Sequence, residues 1–381
     1  MFNEKKYIEI NGKEFEKELF DELLTIFKEG FSHSSSSIED AFSELDKIEK
    51  EIDDKKKEDK AEEAFQLFNS LDEKAKNDIL NLTKLMLVRL GYNYKVFWDE
   101  MPRDQEGVDK LYEQYFTYFN EDIPYFIRFN EDGSLNDKET FGSIFYLFNK
   151  LPDKKAAMEK AYNMQKDNLD AFDYAMELKE ISINDIIEIN KKVIYSDVDK
   201  VEGFKRTNNA IFGAGFQTTD KKDVYPKMNE LLYEYSNNFE IEILNPYEPG
   251  ILPEEKTDRL QKIFKKEAIF HIRFERIHPF NDGNGRTGRI ILNHNLLRQG
   301  IAPVLITNVM ASDYKKYINT NDVEGLAKLL LNSSSQLVTS WVSTKKVHKT
   351  EDKECVNNDM LAEVLGYDDD NFGFGRAKKR K

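Results

Sequence analysis

Between Ile277 and Ile290 the chain reads I-H-P-F-N-D-G-N-G-R-T-G-R-I, placing one imidazole, one carboxylate, three glycines and two arginines in a single short stretch. Each residue type suits one part of phosphate chemistry. Glycines let backbone N–H groups approach an anion closely, and a helix N-terminus adds its dipole at the same place. The planar guanidinium groups of Arg286 and Arg289 form charge-assisted forks with phosphate oxygens. Asp282 can hold Mg²⁺ against those phosphates. His278 is the one group in the stretch whose ordinary pKa suits taking a proton from an incoming hydroxyl at neutral pH. The chemistry indicated is transfer of a phosphate-containing group onto a hydroxyl.

Taken singly, these residues have plainer readings. His278 alone would be structural, Asp282 before a glycine would be a turn or cap residue, and two arginines three apart on a helix would be solvated. Their concentration in one segment is what argues for a site. Gly283, Gly285 and Gly288 also spell G-x-G-x-x-G, but a dinucleotide loop of that kind follows a strand inside a βαβ unit. Here a helical pattern precedes it, with Leu260, Ile263, Phe264, Ala268, His271 and Phe274 at helical spacing. His271 lies on the apolar face of that helix and reads as a core residue. The run Ile290, Ile291, Leu292, Leu296, Leu297 up to Gly300 indicates a second helix leading out of the glycines.

The surrounding elements are mostly helical. Helical spacing runs from Glu14 to Lys28 through Phe15, Leu19, Phe20, Leu23, Leu24, Ile26 and Phe27. Gly30 and the serines Ser34 to Ser37 then predict a break and a new N-cap. Ile38 to Ala64 is highly charged and reads as an exposed helix or a connector. Ile79 to Leu90 is helical, whereas Tyr112 to Phe129 fits helix or extended chain. Leu151-Pro152-Asp153 suggests a boundary, and helix returns over Lys154 to Val193, with Leu169, Phe172, Met176, Ile183 and Ile187 inward. Asn208 to Thr219 has short, glycine-broken apolar residues that suit a small β-hairpin; a helix over Val224 to Phe239 follows. The fold expected is mainly α: a helical N-terminal region over 1–160, a core domain over 161–343 with a small β-hairpin, and a flexible tail over 344–381.

Composition narrows the class. The 381 residues carry a net charge of -15, with 33% charged, 40% hydrophobic and 12% aromatic residues, enough for a sizeable core under an acidic surface. That balance argues against nucleic acid as a partner, whose binders are basic. Cys355 is the one cysteine, so no intramolecular disulfide forms and a reducing compartment is expected. No apolar run approaches the ~20 residues needed to span a bilayer, and residues 1–13 hold no apolar signal core. A cytoplasmic protein without a membrane partner is the expectation.

The segment from His278 resembles the signature of the Fic (Fido-fold) family, H-[PF]-F-x-[DE]-G-N-G-R-x-x-R, and matches it without a gap. Gly203-Phe204-Lys205-Arg206 and Asn208 to Thr218 resemble the family's G-x-[YF]-R stretch and flap hairpin, with Lys205 where an aromatic is usual. Tyr314 to Leu330 resembles the helix that closes the core. The resemblance covers roughly Asn168 to Ser335 and implies transfer of AMP from ATP to a Ser, Thr or Tyr hydroxyl of a target protein, with release of pyrophosphate. By position, it makes His278 the base and Asp282 the Mg²⁺ ligand. Gly283, Asn284 and Gly285 line the anion hole, with Arg286 and Arg289 on the β- and γ-phosphates. The flap around Ile211, Phe212, Gly213 and Phe216 holds the target by strand addition.

Many members carry an inhibitory helix whose glutamate pairs with the second motif arginine. Ser35-Ser36-Ser37-Ile38-Glu39, preceded by His33, resembles the N-terminal version (H-S-x-x-I-E-G-N), with Asp40 where Gly or Asn is usual and one extra serine after His33. An inhibitory helix near 33–45, with Ser35 and Glu39 as its functional residues, is therefore expected; the plainer reading of Ser35 to Glu39 is a helix cap. Thr320 to Gly325 fits the bare inhibitory pattern but lies in the core-closing region. Alternatives are transfer of another nucleotide-linked group, removal of AMP at the same site, or a non-catalytic ATP-binding module. A homodimer is compatible with the resemblance.

Overall fold

The computed structural model describes residues 6–38, 43–57, 60–93, 106–107, 110, 118–119, 121–197, 200–211 and 214–349. The chain opens with an antiparallel hairpin, β1 (Tyr7–Ile10) and β2 (Lys13–Glu16), in the register Ile8↔Phe15 and Ile10↔Lys13. Asn11 and Gly12 join the strands with φ of 50° and 68°. Two positive φ values are what a tight two-residue hairpin turn requires, and Asn-Gly meets that need at low cost. Asn11 also ties the turn to the core: its N–H donates to the Gly300 carbonyl and its Oδ1 accepts from Ala302 N–H, both at 2.8 Å. Phe15, expected in a helix, is a buried strand residue.

Helix α1 spans Lys17–Ile38 without interruption, passing through Gly30 and all four serines where a break was expected. Ser34, Ser35 and Ser36 are buried rather than capping. Ser32 and Ser34 hydroxyls donate to the carbonyls of Gln165 and Ile306, and Ser36 Oγ accepts from Asn168 Nδ2 at 2.8 Å. Small polar side chains let the helix approach its neighbours closely, and tertiary partners outweigh the local preference of serine for caps.

The charged region that follows holds α2 (Ser43–Lys56), α3 (Ala61–Ser70) and α4 (Glu73–Asn93), then a short α5 (Ile123–Phe126), α6 (Asp137–Asn149) and α7 (Leu151–Glu177). Residues Phe42–Tyr162 form one compact unit. Its core uses Leu45, Ile48, Ile52, Ile123, Phe126, Ile144 and Leu147, with Phe65 stacked on Tyr125 at 4.0 Å between ring centroids. Asp122 bridges Lys56 at 2.5 Å and Lys154 at 3.9 Å.

The other unit comprises Met1–Ala41 and Asn163–Lys381, so the first helix groups with the C-terminal part of the chain rather than with 42–162. It continues with α8 (Ile183–Val193), α9 (Val224–Ser236), α10 (Pro253–Ile277), α11 (Asn284–Arg298), α12 (Asn308–Thr320) and α13 (Val323–Lys349). Two apolar clusters hold it. Phe20, Phe27, Phe31, Phe172, Ile189, Phe274, Phe280 and Trp341 belong to one; Ile38, Phe264, Ile272, Leu296, Tyr314 and Leu330 belong to the other. The sequence between α8 and α9 forms no strand among its described residues, 194–197, 200–211 and 214–223, so the hairpin seen among the described residues is the N-terminal one. Helix α13 reaches Lys349, into the expected tail.

Candidate active site

The site is the loop between α10 and α11, which lie against each other in the core. Helix α10 ends when His278 takes the left-handed conformation (φ 51°, ψ 62°), its N–H still donating to the Phe274 carbonyl at 3.0 Å. A left-handed residue closes a helix sharply and turns its own side chain away from the helical face. The His278 imidazole is half-buried as a result, with its neighbours Pro279 and Phe280 inside.

Asn284 holds the loop shut. Its Oδ1 accepts from Phe280 N–H at 2.9 Å and its Nδ2 donates to the Phe280 carbonyl at 3.0 Å. Gly283 is the N-cap of α11 at φ 75°, and a Cβ there would stand 2.9 Å from both Asn190 Nδ2 and Val193 Cγ1. It is glycine for two reasons, conformation and space. The amides of Asn284, Gly285 and Arg286 precede the first intrahelical bond, Thr287 N–H to the Gly283 carbonyl at 2.9 Å, and so leave the N-terminus of α11 with the open donors that suit an anion. Gly288 serves a different end from Gly283 and Gly285. A Cβ on it would lie 2.6 Å from Glu275 Oε1 and 3.0 Å from Phe274, so it sets how closely α10 and α11 approach.

The two arginines are both buried, Arg286 at 2% and Arg289 at 3% exposure. One guanidinium nitrogen of Arg286 donates to the Val193 carbonyl at 3.0 Å; the other lies 3.5 Å from Asp282 Oδ1 and 3.9 Å from Asp197. Arg289 donates from Nε to Ser35 Oγ and from a terminal nitrogen to the Ser35 carbonyl, each at 3.0 Å, and approaches the Tyr314 hydroxyl at 3.4 Å. Tyr314 in turn meets His271 Nε2 at 2.7 Å. His271 is fully buried, as its apolar face predicted, and burial together with the Arg289 charge pulls it down to about 3. The Asp282 carboxylate is 71% exposed at the mouth of the loop.

Asn190 is a site residue that no local pattern announced. Buried on α8, it donates to the Asp282 carbonyl at 2.9 Å and to Thr287 Oγ1 at 3.2 Å. A buried asparagine on a strongly amphipathic helix was the one available signal. Asp167 is a second: it accepts from Ser196 N–H at 2.7 Å and from its hydroxyl at 3.0 Å. Burial raises its carboxyl above the usual range, opposed by those bonds and by Arg286.

The flap segment leans on the same loop. Lys205 N–H donates to the Pro279 carbonyl at 2.8 Å and Asn209 Nδ2 to the Phe280 carbonyl at 3.0 Å. Thr218 Oγ1 donates to the Asn209 carbonyl at 2.6 Å, so side chains join the two arms in place of a strand ladder. Ala214 N–H donates to the Ile211 carbonyl at 3.2 Å, and Phe216 lies under Arg276, whose guanidinium carbon is 4.2 Å from the ring centre. Phe212, Gly213 and Glu39 lie outside the described residues. Ser35 sits in the interior of α1, so the helix-cap reading does not hold for it.

The end of α10 and the start of α11 thus bring a histidine, the open amides of a helix N-terminus and two buried arginines into one short region of a helical domain. Residues 180–296 match the model of the Fic/DOC family. That match takes in the His278 loop and spans under a third of the chain. It is 25% identical over 173 residues to protein adenylyltransferase Fic of Nematostella vectensis, covering 45% of this chain and 36% of that protein. It is 27% identical over 166 residues to the protein of that name from Drosophila willistoni, covering 43% and 30%. The chain thus spans about a third of the length of these curated relatives. Among solved structures, a Fic domain containing signaling protein from Bacteroides thetaiotaomicron is 19% identical with a TM-score of 0.39, covering 67% of this chain and 98% of that one. Fic-1 of C. elegans is 19% identical with a TM-score of 0.38, covering 49% and 53%.

Proposed function

We propose that this protein transfers AMP from ATP to a Ser, Thr or Tyr hydroxyl of a target protein and releases pyrophosphate, and that α1 restrains it. The observation that carries the reading is that one stapled loop delivers both His278 and the open N-terminus of α11. Phosphoryl-type transfer asks mainly for positioning and charge stabilisation, and this loop supplies both. His278 takes the proton of the attacking hydroxyl. The amides of Gly283, Asn284 and Gly285 face the phosphate chain, and Arg286 and Arg289 bind its β and γ oxygens once they exchange their present partners for phosphate. Ile211, Phe212, Gly213 and Phe216 dock the target segment beside the loop.

Asp282 is the residue suited to Mg²⁺. Among the described residues no group of three or more acidic, histidine or cysteine side chains forms a metal site. One exposed carboxylate facing the phosphate end of α11 nevertheless fits the habit of this ion, which binds through one or two carboxylates, water and substrate phosphates. Bound there, Mg²⁺ would neutralise phosphate charge. Among the described residues no helix is long and apolar enough to cross a membrane, and with a lone cysteine we place the enzyme in the cytoplasm.

The bonds from Arg289 to Ser35 support the restraint, because they occupy the donors that a γ-phosphate would need. The test uses purified protein, Mg²⁺ and ATP labelled at the α-phosphate, with the Glu39→Gly and His278→Ala variants alongside. Label on protein, stronger in Glu39→Gly and absent in His278→Ala, is the expected result. ATP binding without label in any variant would refute AMP transfer and favour a non-catalytic module or another donor.

A further inference from the structure

Lys205 stands where an aromatic is usual in the stretch that this chain resembles, yet it is only 3% exposed. A buried lysine loses hydration and persists where its ammonium finds acceptors. Its Nζ donates to Asn209 Oδ1 at 2.8 Å, to Thr218 Oγ1 at 3.2 Å and, at 3.5 Å, to the carbonyl of Ile277, the residue before His278. The first two acceptors lie on opposite arms of the flap. The third belongs to the last turn of α10, where a cation also meets the negative end of the helix dipole. Its backbone N–H and the side chain of Asn209 are meanwhile fixed to the carbonyls of Pro279 and Phe280. Burial pulls the ammonium below the ordinary lysine range, with Asp220 opposing.

We propose that Lys205 is a positioning residue that clasps both arms of the flap to the His278 loop, replacing a strand ladder with side-chain bonds and setting the docking of the acceptor segment relative to His278. The clasp acts through Asn209 and Thr218, and it rests on the reading above only in that the flap holds the acceptor. An aromatic at this position would pack but could not bridge three oxygens. Lys205→Met keeps most of the side-chain length and removes the donors; Thr218→Val keeps the lysine and removes one of its acceptors together with the Thr218–Asn209 bond.

Amide hydrogen exchange on the full chain reads the clasp without any activity. Exchange over 208–211 and 214–219 should rise at least tenfold in Lys205→Met and at least threefold in Thr218→Val, with α11 unchanged. The double variant should show less than the product of the two, because both act on one network. With labelled ATP, the ratio of AMP on protein to AMP released into water should fall at least fivefold in Lys205→Met, while KM for ATP stays within twofold. Unchanged flap exchange in both variants would overturn the clasp, and so would a rise spread equally over the core. A loosened flap in a chain that labels nothing, wild type included, would keep the clasp and refute AMP transfer instead. Should Lys205→Met fail to fold, Lys205→Gln decides the matter through the same exchange measurement.

Discussion

Arg289 is held by Ser35 through two bonds of 3.0 Å, one to the side-chain oxygen and one to the backbone carbonyl. Only the first can be removed by substitution without unwinding α1. A hydrogen bond to a charged group contributes about 1.5–3 kcal/mol, and Ser35→Ala leaves the carbonyl partner in place. ATP affinity should therefore rise by about tenfold rather than without limit, measured by titration calorimetry. No change in affinity would show that Ser35 does not withhold Arg289. Deleting α1 outright is a poorer test, since Phe20, Leu23, Phe27 and Phe31 belong to the main core.

His278→Ala should lower AMP transfer by about 10²–10⁴-fold, the usual contribution of a positioned base. The backbone at this position complicates the choice of variant. His278 has φ 51°, where alanine is strained by about 1–2 kcal/mol and asparagine is tolerated. His278→Asn should therefore match His278→Ala in lost transfer while melting nearer to wild type. Transfer retained in both would remove His278 as the base.

Gly283→Ala and Gly288→Ala should fail in different ways. At Gly283 the new methyl meets Asn190 and Val193 in a left-handed backbone, so the loop must shift and the anion site with it. Phosphate affinity should be lost together with about 1–3 kcal/mol of stability. At Gly288 the methyl meets the Glu275 carboxylate and the Phe274 ring across the helix interface. Denaturation should show a loss of about 1–3 kcal/mol there from overpacking, with His278 still in place at the loop. Equal effects of both substitutions on pyrophosphate binding would contradict this division.

Acid should destabilise the fold through His271. Its folded value of about 3 lies below the unfolded value of 6.5. Above the unfolded value neither state is protonated and the buried ring is harmless. As pH falls below it, the unfolded chain takes up a proton that the folded chain refuses, and stability declines until the folded value is reached. His294 is also lowered by burial and adds in the same direction. Each contributes up to about 1.4 kcal/mol per pH unit. In urea titrations below pH 6.5, His271→Gln, which still offers Tyr314 an acceptor, should show a shallower pH slope than wild type; an identical slope would contradict the assignment.

Most of the candidate loop was readable because it is local: His278, Asp282, Asn284 and both arginines lie in one uninterrupted segment. The helix on either side followed from apolar spacing. What sequence reasoning missed depends on partners distant in the chain. Ser34 to Ser37 look like a cap until Asn168, Arg289 and Ile306 are brought alongside them, and Gly288 looks like a phosphate glycine until Glu275 lies across from it. The N-terminal hairpin is a different kind of miss. Its Asn11-Gly12 turn between alternating Ile8, Ile10 and Phe15 was a local signal, obscured by the helical spacing that begins a few residues later. The flap was expected as a hairpin, yet Lys205, Asn209 and Thr218 supply its cross-links with side chains.

The tie between Asn11 and the Gly300–Ala302 turn bears on how the site would open. With the hairpin pinned there and Phe15 and Phe20 set edge-on against Trp341, α1 behaves as a beam built in at its root, its far end carrying Ser35. Such a beam yields at the tip. If a nucleotide claims Arg289, the last turns of the helix would have to give up the bonds of Ser34, Ser35 and Ser36 and the packing of Ile38, while the aromatic cluster at the root could stay in place.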